Sequence, residues 1–449
     1  MQSVNKQLSL NRNIFFTFFT QGPTMIMGLF INYFITKAIK AEGRGAYAIF
    51  TADTELLSQF LGFMITSAIV YYVANRKIAL EKLLGIGILT TAFSMLALLA
   101  IFGLLKLFAF NGLLFPGPHD HLFHYAFLFL ALLFIMTNQV LSSIFQGKSM
   151  FRIINTVAII NSSVNLLVYG ACFFIALQNP AAIDINTILA ITLVVYLLNV
   201  VVWLYLYRKH IRVRPVFRFD FKTDIRPLFI FISIGHLSQI LSFLTYRMDY
   251  WILEHYKGSQ ELGYYAQAVG FGQMFWRITN PILTVLIPFL AAEDNPTNMS
   301  HFKFYSRLNF TVILIGVTVF FVFAGYIFPI YGADFSRSVV PFRIMAFGIV
   351  MSCITKVFAT YIYVKNKLHY NLIVTIVSFV FTITLDLLLI PKHGMIGASI
   401  ATTISYTMAT IMIVWFVTVR FKLNIRDTFF LKGNDVRAVI HKFSGKYLS

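Results

Sequence analysis

The sequence predicts an all-α integral membrane protein. About twelve transmembrane helices form two six-helix lobes, related by a parallel pseudo-two-fold repeat around a central cavity. Three observations predict this. First, 58% of the 449 residues are hydrophobic, mean hydropathy is +0.77, and only 12% are charged. A soluble fold cannot hide that much apolar surface, so lipid is the solvent for most of the chain. Second, apolar runs of the ~20 residues needed to cross a hydrocarbon core recur along the whole length. Third, a short pattern returns after half the chain.

The runs cover 13–36, 46–73, 83–108, 122–146, 151–177, 187–207, 228–254, 263–291, 304–331, 339–363, 369–390 and 395–419. The first is too long for a signal-peptide core and has no small-residue cleavage pattern after it, so it reads as a retained span. Lys and Arg exceed Asp and Glu by 36 to 17, and they concentrate in alternate connections. One side carries Arg76, Lys77 and Lys82, then Lys148 and Arg152, then the dense run Arg208, Lys209, Arg212, Arg214, Arg218, Lys222 and Arg226. The opposite loop "QNPAAIDIN" has no basic residue. The positive-inside bias places both termini in the cytoplasm and the chain, multi-pass, in the cytoplasmic (inner) membrane. The same bias explains the basic excess, and no nucleic-acid-binding pattern accompanies it.

Expected boundaries are an N-terminal lobe at 1–209, a basic cytoplasmic linker at 210–227, a C-terminal lobe at 228–420 and a basic cytoplasmic tail at 421–449. In the tail, Val436, Val439, Ile440 and Phe443 share one helical face, the pattern of a short helix lying on a membrane; a solvated tail fits equally. Cys172 and Cys353 fall inside apolar runs and read as core residues.

The repeat aligns "GRGAYAIF" at 43–50 with "ELGYYAQA" at 261–268. Gly45, Tyr47 and Ala48 match Gly263, Tyr265 and Ala266 at an offset of 218. "FQGKSMF" resembles "VKNKLHY" at nearly the same offset. Because six is even, both halves enter from the same side, which makes the repeat parallel and its axis normal to the membrane.

Several segments resemble the polysaccharide-flippase branch of the MATE-like superfamily of multidrug, oligosaccharidyl-lipid and polysaccharide exporters. They are "GRGAYAIF", "YRMDYWIL", "ELGYYAQAV", "FPIYGADFSRSVVPFRIMAFG" and "IPKHGMIGASIATTISY". The resemblance covers nearly the whole chain. It implies a two-lobe fold that moves undecaprenyl-diphosphate-linked oligosaccharide from the inner to the outer leaflet.

A charge at the bilayer centre costs at least about 2.5–3.5 kcal/mol, so each needs a partner, a cavity or an escape to the interface. Arg277 lies near mid-membrane and is the first candidate for a diphosphate, because guanidinium matches phosphate oxygens in a fork. A structural ion pair is the alternative. Lys356 and Arg247 are further substrate candidates, with Asn138 and Gln139 as sugar-bonding groups beside Asn161 and Asn165. Snorkelling to the interface is the competing reading for Lys356. Asp53, Glu55, Asp249, Arg343 and Asp386 share a level with Arg247 and are expected to form an outer gate or coupling layer; a static interfacial set is the alternative. Arg247 shares a helical face with Tyr250 and Trp251, whereas Asp249 must find its partner on another helix, such as that of Arg343. Pro23, Pro281 and Pro288 are hinge candidates, with static kinks as the alternative.

His119, Asp120, His121 and His124 have loose metal-ligand spacing, but interfacial histidines explain them better and no metal is expected. No Gly-x4-Gly-Lys-Ser/Thr loop is present, no cofactor is expected, and energy falls to a coupling ion (proton or sodium), the membrane potential or product removal. The expected partners are thus the lipid-linked oligosaccharide, anionic lipids of the cytoplasmic face and that ion. A cation-coupled multidrug exporter is the alternative, disfavoured by a first helix without Asp or Glu. A membrane-embedded polymerase or ligase would need larger outer loops. The expectation is a transporter, not an enzyme.

Overall fold

A computed structural model describes residues 2–63, 65–76, 78–108, 121–179, 182–291, 296–365, 367–433 and 435. Among them the chain is nearly all helical, with no strand. The helices are α1 (Gln2–Leu61), α2 (Ile65–Asn75), α3 (Leu80–Leu107), α4 (Leu122–Gly147), α5 (Phe151–Gln178), α6 (Ile185–His210), α7 (Arg226–Ala291), α8 (Pro296–Ile330), α9 (Val339–Val364) and α10 (Leu368–Phe421).

Seven described helices are long and apolar enough to cross a membrane, and the bent α1–α2 pair makes an eighth. The expected twelve requires reading α1, α7 and α10 as two spans each. Their lengths invite it: the 66 residues of α7 would reach ~100 Å if straight, against a ~30 Å hydrocarbon core. Each contains one residue off the helical path: Lys40 (φ 58°), Gly258 (φ 81°) and Gly394 (φ 55°). Glycine accepts a positive φ at little cost, and Lys40 does not.

Lys40 and Gly258 stand 218 residues apart, the offset of the sequence repeat. The glycines of the repeated motif explain themselves here. A Cβ at Gly45 would run into the Ser259 carbonyl, and one at Gly263 into the Ala41 carbonyl. These contacts are reciprocal under the same offset, as a two-fold relation demands.

The chain divides into two compact units, Met1–Ala266 and Gln267–Ser449. In the first, one apolar core gathers Ile69, Leu83, Ile144, Phe145 and Trp203; another gathers Phe50, Leu98, Phe127 and Leu132. The α6–α7 connection is part of this unit's core and is no loose linker. Ile211 is buried in it, and Val213 and Phe219 pack against it. The Val216 amide donates to the Glu81 carbonyl at 3.0 Å, and Lys82 meets Asp224 at 2.6 Å.

In the second unit, α9 and the far segment of α10 are joined by threonines. Thr403 and Thr410 donate to the Ile344 and Met351 carbonyls at 3.0 and 2.9 Å. After Phe421 the chain returns to α8. Lys303 pairs with Asp427 at 3.1 Å, and the buried Arg307 takes Asp435 at 2.7 Å through two nitrogens. Phe310 packs against Phe429 and Phe430. The apolar face at 436–443 lies outside the described residues. Both cysteines are free and buried.

Candidate functional site

Charges occur inside the spanning segments of both units, in two different settings. In the first unit, the segment of α1 beyond Lys40 carries Asp53 and Glu55, and the first segment of α7 carries Arg247 and Asp249. Asp53 is wholly buried, and one oxygen accepts the Trp251 indole N–H at 2.7 Å. Asp249 is buried and accepts the Tyr265 hydroxyl from beyond the Gly258 break. In each carboxylate the second oxygen is buried without a hydrogen bond among the described residues.

Arg247 faces Glu55 at 3.6 Å. Its guanidinium lies 4.9 Å over the Tyr250 ring and donates to that hydroxyl at 3.1 Å. Tyr250 in turn stands edge-on to Tyr265 at 6.0 Å. Arg247, Tyr250, Tyr265 and Asp249 therefore form one connected chain of contacts. The spacing of "YRMDYWIL" separates the two charges onto different faces, and each meets a different partner. The cation here is compensated by an acid and an aromatic ring.

In the second unit, Arg277 and Lys356 are set differently. Arg277 is exposed, and no hydrogen bond or ion pair joins it to a described residue. It lies fourteen residues, about 21 Å at 1.5 Å per residue, into the run expected at 263–291, near the middle of that run. The preceding Trp276 is held in place: its indole N–H donates to Ser352 Oγ at 2.8 Å, and its ring stands 6.2 Å from Tyr406. Lys356, one turn after Ser352 on α9, places its ammonium 4.7 Å over the Trp276 ring. No carboxylate pairs with either cation among the described residues. A ring face attracts an ammonium but does not neutralise it. The arrangement can attract an anion, with a fork donor from Arg277 and a point charge from Lys356.

The remaining candidates are dispersed. Arg343 donates to the Phe321 carbonyl at 3.3 Å and lies 5.4 Å over that residue's ring. Asp386 is wholly buried in the first segment of α10. Gln139 donates to Ser58 at 3.2 Å, and Asn138 keeps a buried carbonyl oxygen without a described partner. Asn165 reaches Asn161 at 3.5 Å, too long for a strong bond. Pro23 lies inside α1. Pro281 and Pro288 fall within α7, at positions whose side chains lie outside the described residues. His124 bonds Asn186 at 3.0 Å. His119 and Asp120 lie outside the described residues, among which no cluster has the donors for a metal ion.

Sequence reasoning missed Tyr265, Trp276 and Ser352. Tyr265 had a signal, because it belongs to the repeated motif. Trp276 and Ser352 had none; their roles depend on which faces of α7 and α9 meet.

Comparison with known proteins agrees with this picture. Residues 10–294 match the model of a family described as "Polysaccharide biosynthesis protein". A Shigella flexneri protein named as an O-antigen transporter is 23% identical over 402 residues, covering 86% of this chain and 92% of that protein. Among solved structures, the lipid II flippase MurJ in an inward closed conformation superposes with a TM-score of 0.69 at 14% identity. It covers 96% of this chain and 93% of its own. An inward-facing multidrug resistance MATE family transporter of the MOP superfamily gives 0.66 at 14% identity, covering 89% and 94%. The fold is therefore that of the MOP-superfamily transporters, and the chain belongs to the polysaccharide biosynthesis protein family.

Proposed function

We propose that the protein is a flippase that moves undecaprenyl-diphosphate-linked oligosaccharide from the inner to the outer leaflet for surface polysaccharide biosynthesis. It works by alternating access of two lobes, 1–209 and 228–420, in the cytoplasmic membrane with both termini inside. The observation that carries this reading is Arg277: a mid-membrane guanidinium with no described counter-charge, beside the Lys356–Trp276 pair. An uncompensated cation at that depth is expensive unless an anionic ligand visits it. A diphosphate meets both requirements, double negative charge and forked oxygens.

The cluster of Asp53, Glu55, Arg247 and Asp249, with Arg343 and Asp386 in the second unit, is proposed as gate or coupling machinery. Pro23, Pro281 and Pro288 are the proposed hinges. Asn138 and Gln139 are proposed to meet sugar hydroxyls. The test is leaflet translocation of a lipid-diphosphate oligosaccharide in proteoliposomes. Transport should be lost with Arg277→Ala and partly kept with Arg277→Lys. Unaffected transport by the alanine variant would remove Arg277 from the substrate path.

A second reading, cation-coupled drug export, is favoured by the MATE-family likeness. Against it, α1 has no acid before Glu42. Efflux of cationic dyes by cells lacking lipid-linked sugars would turn the argument toward it.

A further inference from the structure

The connection between α6 and α7 is built to be rigid, yet its outward side has no use within the unit. It turns at Ile211, runs without regular secondary structure over residues 212–220, makes one π-helical turn at Phe221–Ile225, and enters α7. Its inward side is fixed at four points. Tyr207 donates to the Val213 carbonyl at 2.7 Å, and the Val216 amide to the Glu81 carbonyl at 3.0 Å. The Val216 carbonyl lies against Gly85, where any Cβ would collide with it. Lys82 closes the far end on the buried Asp224.

The acids of this strap are also committed inward. Asp224 serves Lys82, and the same oxygen accepts the Asp220 N–H at 2.9 Å. Asp220 caps the turn by accepting the Lys222 and Thr223 amides at 2.8 and 2.9 Å. The outward side is left with cations. Arg212, Arg214, Arg218, Lys222 and Arg226 are all exposed. Except for a bond from Arg212 Nε to the Arg208 carbonyl, none of these side chains has a hydrogen bond or ion pair with a described residue. Exposed aromatic rings lie between and beside them: Phe217 at 53%, Phe221 at 69% and Phe229 at 67%.

We propose that this strap is a preformed binding surface for anionic phospholipid in the leaflet it faces. The phenylalanines enter the boundary between headgroups and acyl chains, and the arginines and Lys222 take the phosphates. The chemistry that selects this occupant is the alternation itself. Cations alone would suit any polyanion, and rings alone any apolar partner. Interleaved on one backbone held at a helix end, they match a surface with phosphate above and hydrocarbon below. Because the backbone is already docked, binding costs little ordering entropy. The proposal needs only a chain that spans a bilayer and is independent of what the chain transports.

The test is native mass spectrometry of the full-length protein in detergent, titrated with phosphatidylglycerol or phosphatidylcholine. The unmodified chain should prefer phosphatidylglycerol, and the preference should weaken with salt, since exposed charges are screened. The triple variant Arg214→Gln/Arg218→Gln/Lys222→Gln should bind phosphatidylglycerol roughly 100-fold more weakly, at about 1 kcal/mol for each of the three basic residues near an anionic surface. Slow exchange of the Val216 amide in the variant establishes that the strap is still docked; if the amide exchanges fast, the double variant Phe217→Ser/Phe221→Ser takes its place, with loss of binding again expected. Equal binding of the two lipids overturns the proposal, as does a preference that survives substitution. Displacement of the lipid by millimolar inorganic pyrophosphate also overturns it, because the surface would then be a diphosphate site. None of these outcomes bears on Arg277.

Discussion

Arg247 and Arg307 have partners and Arg277 has none among the described residues, and that contrast separates scaffold from candidate site. Arg247 faces Glu55 and covers Tyr250. Arg307 is buried and held by both oxygens of Asp435 and by the Asp427 carbonyl. Both behave as structural cations must, with every burial compensated. Arg277 is exposed inside an expected span and has no described counter-charge. Lys356, over the ring of the neighbouring Trp276, has no described acid either. The same cost governs all four groups. Where the chain supplies the compensation the charge shapes the fold, and where it does not a visiting anion must.

The most severe test of that contrast is Arg277→Ala. Removing a cation that binds a phosphate typically costs 2–5 kcal/mol, so transport should fall by roughly 30-fold or more. Thermal stability in detergent should stay unchanged, because no described residue loses a partner. A large loss of stability would instead make Arg277 another scaffold cation. Asp53→Ala should behave oppositely. It leaves the half-buried Trp251 indole N–H without its Asp53 acceptor, at a cost of about 1 kcal/mol of stability. Asp53→Asn keeps an acceptor and should recover most of that. A stable alanine variant would break the claim that the first unit's acids are integral to its packing.

Lys356→Met sharpens the second site. It keeps the apolar stem over Trp276 and removes the charge. Transport should fall by about tenfold, less than for Arg277, since a point charge contributes without the guanidinium's fork. Apparent affinity for substrate should weaken with little change in melting temperature. An unchanged affinity would reduce Lys356 to a packing residue.

The fold was legible because its signals are local. Apolar runs fixed the segments, and the span expected from 395 begins one residue after the break at Gly394. Gly45 and Gly263 revealed the repeat, and the structure shows why they must be glycine: each lies against a carbonyl two residues before the matching motif, Ser259 for Gly45 and Ala41 for Gly263. The candidate site was legible only in its charges. Arg277 could be picked out by depth, but its neighbours could not, because Ser352 and Lys356 reach Trp276 across helices. The partner of Asp249 lay beyond the Gly258 break, in Tyr265. The docked state of the α6–α7 connection was likewise hidden. Composition marks that stretch as basic, whereas its attachment depends on contacts distant in sequence, Val216 with Glu81 and Gly85 and Asp224 with Lys82.

The smallest expected effect concerns the paired cations of α8, and it tests whether compensation is electrostatic at all. Lys432 and then Lys303 hold the Asp427 carboxyl down to about 2. Burial pushes Asp435 up, but its bonds to Arg307 and the Lys432 amide, together with the charges of Arg307 and Lys432, outweigh this and leave it below the ordinary value of 3.8. Both shifts are depressions, so their contribution is complete above the unfolded-state values near 4. It is lost as pH falls through the folded-state values, toward about 2 for Asp427. The returning segment should therefore stay on α8 at pH 5–7 and loosen below pH 4. The amide of Leu431, which donates to Thr311 at 3.3 Å, reports this by hydrogen exchange corrected for the intrinsic rate. Protection that is unchanged at pH 3, or that weakens as pH rises above 5, would assign the attachment to the packing of Phe310 against Phe429 and Phe430. The clean division between compensated and uncompensated arginines would then lose its best-defined compensated case.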